Sequence, residues 1–304
     1  MKAIPWRFLI ICCVFFPVWA TTAKTPVFVT ASLIDKNNLF IEDLTQDEIQ
    51  ILENDQPRPI EFMAKDELPV VYGIVFDRAM LPDFEDIDRS RRAGKTGAVS
   101  GRDIAYELID KHLGKQVIWV GTYDRDLEVA LDFSPDGFRA KEAIQQLRGV
   151  RRNEESFLYG ALFKAVTKMN QRSEKRRILL LLLDAIDSPS AGKAKALRNL
   201  LSSTNIELFI ISFATKMGGS RSSMPHSMSE AVFKDLAYAT SGDAFSSASY
   251  GDHLEDLSRR IYNHIRTFYT FGFQSEAAPD KPTKLSIRCL RPGARVKHHA
   301  AVAP

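Results

Sequence analysis

Asp77 and Asp184 each close an apolar run. Val70-Val71-Tyr72-Gly73-Ile74-Val75-Phe76 leads into the first, and Ile178 followed by five leucines leads into the second. Two carboxylates brought to one crevice could hold a hard cation, which takes oxygen ligands, or could face a charged partner. A second group of charges follows the first run at once. Asp83, Glu85, Asp86 and Asp88 are followed at once by Arg89, Arg91, Arg92 and Lys95. The loop that carries them is about twenty residues long, beyond ordinary connections, and long loops often make contacts. Asp83, Glu85, Asp86, Asp88, Arg91 and Arg92 are therefore the candidate partner-binding residues. A solvated acidic loop balanced by its own arginines is the bland reading of the same pattern.

Other chemistry finds less support. The six histidines show no ligand spacing: His112 and His264 fall at helix ends, and His298-His299 in a tail. Gly94-Lys95-Thr96 ends like a phosphate-binding loop, but position 89 is Arg where a glycine is required. A catalytic nucleophile needs a base and an orienting group within reach, and no such set stands out. Cys289 reads as a small core residue. The expectation is a protein that is not an enzyme.

The runs that carry the two aspartates are apolar on both faces, as in strands buried within a parallel sheet. Ligands of such sheets bind at the carboxyl ends of the strands. From about 67 to 266 the chain alternates strands and helices. Helices are expected near Arg102–Leu113, Pro135–Leu147, Ser156–Met169, Gly192–Leu201, Ser229–Ala239 and Leu254–Arg266. Strands are expected at Val117–Thr122, Leu127–Phe133, Ile206–Phe213 and Ala244–Phe245, the first two forming a hairpin. Thr215–Met228, rich in Gly, Ser and Met, reads as a surface loop. Residues 24–66 and 267–304 have β character instead. Val27–Ile34, Ile49–Glu53, Ile60–Phe62, Phe268–Gln274 and Leu285–Leu290 read as strands, with Thr45 and Glu48 capping a turn. The fold expected is α/β: a doubly wound, mostly parallel sheet inserted in a small discontinuous β module.

Residues 1–20 read as a secretory signal, with Lys2 and Arg7 before the apolar stretch Phe8–Trp19 and a small residue at Ala20. Cleavage after Ala23 also fits. Removal of Lys2 and Arg7 would lower the basic count from 41 to 39 against 38 acids. A nearly neutral chain gives no electrostatic reason to bind nucleic acid. Cys12 and Cys13 lie in the signal, so Cys289 alone would remain and no internal disulfide could form. The expected location is secreted or periplasmic, with no membrane span in the mature chain.

The order of elements and three segments resemble the von Willebrand factor A domain. Asp77-Arg78-Ala79-Met80-Leu81 stands where that family has Asp-x-Ser-x-Ser. Glu154-Glu155-Ser156-Phe157-Leu158-Tyr159-Gly160-Ala161 stands where a Thr opens a helix, and Leu183-Asp184-Ala185 matches the third segment. The flanks, Asp43 to Pro57 and Arg291-Pro292-Gly293-Ala294-Arg295-Val296, are similar to those of secreted bacterial proteins related to the family. The resemblance implies a metal-ion-dependent adhesion site holding Mg²⁺ through Asp77, Ser156 and Asp184, and another protein as partner. Ala79 and Leu81 replace two ligand serines, so the site is degenerate and cation affinity should fall sharply or vanish. The expectation is a non-catalytic adhesion or scaffold protein without a cofactor. A metal-dependent hydrolase built on Asp77 and Asp184, and a structural module of an envelope assembly, are the alternatives. The sequence does not specify an oligomeric state.

Overall fold

A computed structural model describes residues 24–37, 39–65, 69–81, 100–150, 157–174, 176–184, 191–202, 204, 206–213, 226–246, 254–277, 283–298 and 301–302. Four strands come first: β1 (Thr25–Ile34), β2 (Ile49–Glu53), β3 (Gln56–Arg58) and β4 (Phe62–Lys65). The hairpin from β2 to β3 turns on Asn54 and Asp55, both at positive φ (50° and 64°), as a turn matching strand twist requires.

The α/β unit follows. Its elements are β5 (Val70–Asp77), α1 (Gly101–Leu108), β6 (Val117–Tyr123), β7 (Leu127–Ser134), α2 (Gly137–Gln146), α3 (Leu158–Met169) and β8 (Arg176–Asp184). It ends with α4 (Ala191–Ser202), β9 (Ile206–Phe213), α5 (His226–Tyr238), β10 (Ala244–Ser246) and α6 (Leu254–Arg266). A π-type turn, Ile109–Leu113, continues α1. The chain then returns to strands: β11 (Phe268–Ser275), β12 (Thr283–Cys289), β13 (Arg295–His298) and β14 (Ala301–Val302).

The six-stranded sheet runs β10-β9-β8-β5-β6-β7, all parallel except the edge strand β7. Alternation along β5 assigns its side chains to two cores. Tyr72, Ile74 and Phe76 join Ile104 and Leu108 of α1, Ala140 and Ile144 of α2 and Ile261 and Ile265 of α6. Val71 and Val75 join Leu162 and Val166 of α3, Leu197 and Leu201 of α4 and Phe233 and Leu236 of α5. Three helices thus cover each face, which explains why the strands read as continuous apolar runs rather than as alternating ones.

Both ends of the chain build the β module. One sheet is ordered β13-β1-β11-β4 and the other β14-β12-β2-β3. Val29, Leu33, Ile51, Phe271, Phe273 and Ile287 fill the space between them. Phe268 follows α6 within two residues, so the insert leaves and re-enters the module over short links. The two parts also touch side by side. Lys297 of β13 donates to Asp243 at 3.2 Å, and His264 of α6 lies 3.1 Å from the same carboxylate. The Phe40 ring meets the His264 ring edge-on at 4.7 Å.

Several boundaries differ from the sequence reading. The strand expected at Ile60–Phe62 begins at Phe62, because the chain crosses from the β3 sheet to the β4 sheet through Ile60 and Glu61. Helix α2 starts after Pro135: Asp136 is its N-cap and accepts from the Phe138 amide at 2.9 Å. Helix α5 already includes His226 to Met228, the end of the stretch read as a loop. His298 belongs to β13, not to a tail, and its Nε2 accepts the Ile287 amide at 3.2 Å. Gly114 follows the π-type turn at the end of the first helix. A Cβ there would meet the Ile109 carbonyl oxygen at 2.9 Å, so the residue is fixed by close approach.

Candidate functional site

The strand order reverses direction between β8 and β5. From β5 the chain winds outward to β6 and β7, then returns to β8 and winds the other way to β9 and β10. A crevice outside the carboxyl ends of the strands opens at such a reversal. Phe76 lies opposite Leu182 on β8 and Thr122 on β6, so Asp77 and Asp184 terminate neighbouring parallel strands at that crevice. The Thr122 hydroxyl donates to the Phe76 carbonyl at 3.1 Å and fixes the β6 rim.

Asp77 is buried, with 4% of its surface exposed. Its Oδ1 accepts the Ala79 amide at 2.8 Å and caps a single turn of 3₁₀ helix, Arg78–Met80. A short carboxylate side chain at an N-cap satisfies an otherwise orphaned amide in this way. Leu81, next in the chain, is 5% exposed and sits in the apolar core shared with α1. Met80 packs over the start of α1, where a Cβ on Gly101 would come within 2.3 Å of the Met80 methyl. The segment from Asp77 to Leu81 thus contributes one carboxylate, one amide already given to it, the Arg78 guanidinium and three apolar side chains. Mg²⁺ takes near-octahedral oxygen ligation, and Ala79 and Leu81 offer no oxygen from their side chains. Among the described residues, no group of three or more His, Cys, Asp or Glu is placed to hold a metal ion.

Two helix ends frame the crevice beside Asp77. Helix α1 begins there, with Ser100 as N-cap and a reciprocal bond from the Ser100 amide to the Asp103 carboxylate at 2.9 Å. Helix α2 ends there, and its terminal carbonyls collect arginines. Arg148 Nη1 donates to Gln145 O and to Leu147 O, each at 2.9 Å. Arg102, in the first turn of α1, donates through Nη2 to the same Leu147 oxygen. Arg78 donates from Nε to Arg148 O at 3.2 Å, while its own carbonyl accepts the Val150 amide at 3.3 Å. Cations at a helix C-terminus suit the dipole and the unpaired carbonyls. Burial holds the Arg102 guanidinium below its ordinary pKa, and the neighbouring Arg148 charge pushes the same way.

Asp77 and the backbone of Asp184 are thus brought to one edge. The Asp184 side chain lies outside the described atoms. Ser156 and the candidates Asp83, Glu85, Asp86, Asp88, Arg91 and Arg92 lie outside the described residues. The sequence reading did not single out Arg78, Arg102 and Arg148. The basic run Arg148, Arg151, Arg152 was a usable signal for one of them, but the meeting of Arg78 and Arg102 with it is a property of the fold.

No family model matches the chain, and no curated protein matches its sequence. Solved structures are similar to it in fold. An aerotolerance-related membrane protein from Bacteroides fragilis, 14% identical, aligns over 64% of this chain and 98% of its own, with a TM-score of 0.46. The von Willebrand factor domain of the type V pilus tip protein Mfa5 from Porphyromonas gingivalis, 12% identical, aligns over 64% and 95%, with a TM-score of 0.40. A von Willebrand factor type A protein from Catenulispora acidiphila, 11% identical, aligns over 91% and 72%, with a TM-score of 0.45. At these identities the likeness concerns the fold alone. The reversal at β5 and β8, the antiparallel edge strand β7 and the helices on both faces make this a doubly wound, mostly parallel α/β fold.

Proposed function

We propose that this chain is a non-catalytic protein-binding module, secreted or periplasmic, that docks a partner on the carboxyl edge of its six-stranded sheet without a bound cation. One observation carries the reading. At the strand reversal the Asp77 carboxylate caps its own turn and Leu81 is drawn into the core, so this part of the edge is a built surface of side chains. Its rim consists of two helix ends and charged residues, which suits contact with another macromolecule. The apolar stretch Phe8–Trp19 behind Lys2 and Arg7 supports export. Among the described residues no helix is long and apolar enough to cross a membrane.

The test is site-specific photo-crosslinking in cells that produce the full chain. A photoreactive side chain at Val150 samples the carboxyl edge, and one at Lys115 samples the opposite end of the α1–β6 connection. A discrete adduct with another protein from position 150, and not from 115, is the expected result. Adducts from 115 alone, or from neither position, would overturn the reading.

A further inference from the structure

We propose that His112 makes the seam between α1 and α6 acid-sensitive: a proton on its imidazole loosens the end of α1 against α6. The docking edge lies at the other end of α1, so neither reading depends on the other. His112 belongs to the π-type turn Ile109–Leu113. Such turns are rare and sit frequently at functional places. The imidazole stacks flat on the Tyr262 ring of α6, with centroids 3.6 Å apart and planes 9° from parallel. On its other side the turn has no room. A Cβ on Gly137, at the start of α2, would meet Gly114 Cα at 2.8 Å and Ile109 Cγ2 at 3.1 Å. Ile109 and Leu113 are buried in the core. The turn is thus fixed by α2 and by the core, and the stack is its contact with α6.

The charged groups around the stack decide what a proton does there. On α1 and its turn, Lys111 is paired with Glu107 and lies 3.7 Å from Glu255 of α6. Asp110 is engaged by Lys141 of α2. From α6, the Arg266 guanidinium lies 5.8 Å from the centre of the Tyr262 ring. Burial holds the imidazole below its ordinary pKa of 6.5; Glu107 opposes this, and Lys111 and Arg266 add to it. A cation over a tyrosine face is favourable by itself, but burial and the two neighbouring cations outweigh that gain. The sign follows. Above 6.5 the ring is neutral in both states and costs nothing. As pH falls below 6.5 the unfolded chain binds the proton first, so the folded contact loses stability. Histidine is the side chain whose charge changes in this range.

The test is amide hydrogen exchange of the full chain, read by mass spectrometry at about pH 8 and about pH 5 and corrected for intrinsic rates. Protection across 109–114 and across the last two turns of α6 is expected to fall several-fold at the lower pH. The ceiling is about thirtyfold, the factor by which an unperturbed imidazole favours its protonated form at about pH 5. His112→Phe keeps a stacking ring that takes no proton, so it should show no such fall. Helix α3, on the other face of the sheet, should not respond in either protein. Exchange at the imidazole Cε1 hydrogen titrates His112 in the wild type itself, which keeps the proposal testable if the variant does not fold. Its midpoint is expected below 6.5. No loss of protection in the wild type, or an equal loss in His112→Phe, would overturn the proposal. So would a His112 midpoint at or above 6.5.

Discussion

Arg291 donates from Nη2 to the Glu48 carboxylate at 2.7 Å and from Nε at 2.8 Å, across 243 positions of the chain. The same guanidinium holds Asp43 at 2.7 Å. Asp43 and Glu48 open the lead-in to the α/β unit, and Arg291 opens the exit from it. The two flanking segments therefore meet face to face, and the insert is closed at its base by one arginine.

That contact sets a pH dependence. The Arg291 hydrogen bonds, with the Thr45 amide bond, bring the Glu48 pKa from 4.5 down to about 2. A carboxyl group whose folded pKa is depressed stabilises the fold above its unfolded value and loses that contribution as pH falls through the folded one. The window is thus from about 4.5 down to about 2. Arg291→Gln should lower the urea midpoint at neutral pH, and the gap to wild type should close across that window. A gap that persists unchanged at the acid end would show that Glu48 is not the partner that matters.

The buried pair Arg176–Glu207 should behave differently, because both side chains are almost fully covered, at 3% and 1% exposure. Arg176 grips Glu207 through Nε and Nη2 at 2.9 Å each and also donates to the Ile265 carbonyl. Glu207→Gln strands a buried cation and should cost about 3–5 kcal/mol in chemical denaturation. Replacing both residues by apolar ones of similar volume should recover most of that loss. A double variant no more stable than Glu207→Gln would contradict this account.

The parallel character of the sheet and the positions of most helices were legible because both rest on local pattern. The runs before Asp77 and Asp184 are apolar on both faces, which only a covered parallel strand tolerates. The discontinuous β module was legible for a related reason: strand patterns at 25–65 and 268–289 had no core of their own size to join except each other. Short edge elements were not. The strand Arg295–His298 carries three basic residues in four positions, and its pairing with β1 depends on Ala31 to Ile34 being in place. The arginine cluster was hidden for the same cause. Arg78, Arg102 and Arg148 lie on a 3₁₀ turn, on α1 and just after the end of α2, and no sequence period connects them.

Gly73 tests how tightly the centre of the sheet is packed. A Cβ there would meet the Trp119 indole nitrogen at 2.5 Å and a Leu179 methyl at 2.9 Å. Trp119 cannot yield readily: its Nε1 donates to the Met169 sulfur at 2.9 Å in the buried core. Gly73→Ala should therefore destabilise by roughly 1–3 kcal/mol through overpacking. Pairing it with Trp119→Phe, which removes the obstructing nitrogen, should cost less than the sum of the two single changes. Strict additivity would show that the indole is not what fills the space.

Cation binding offers the last test, on wild type and Asp184→Ala, with Mg²⁺ and Mn²⁺ titrated against the melting temperature. A ligand that binds only the folded state stabilises it by about 2.7 kcal/mol at a hundredfold excess over its dissociation constant. For a domain of this size that is a shift of several degrees. Asp77 gives its Oδ1 to the Ala79 amide, and Leu81 gives its side chain to the core, so no such shift is expected in either protein. Asp77→Ala should cost about 0.5–2 kcal/mol whether or not a cation is present, as the loss of a cap does. A melting temperature that rises with Mg²⁺ in the wild type and not in Asp184→Ala would show that the two aspartates still share an ion, and the cation-free docking edge would have to be abandoned.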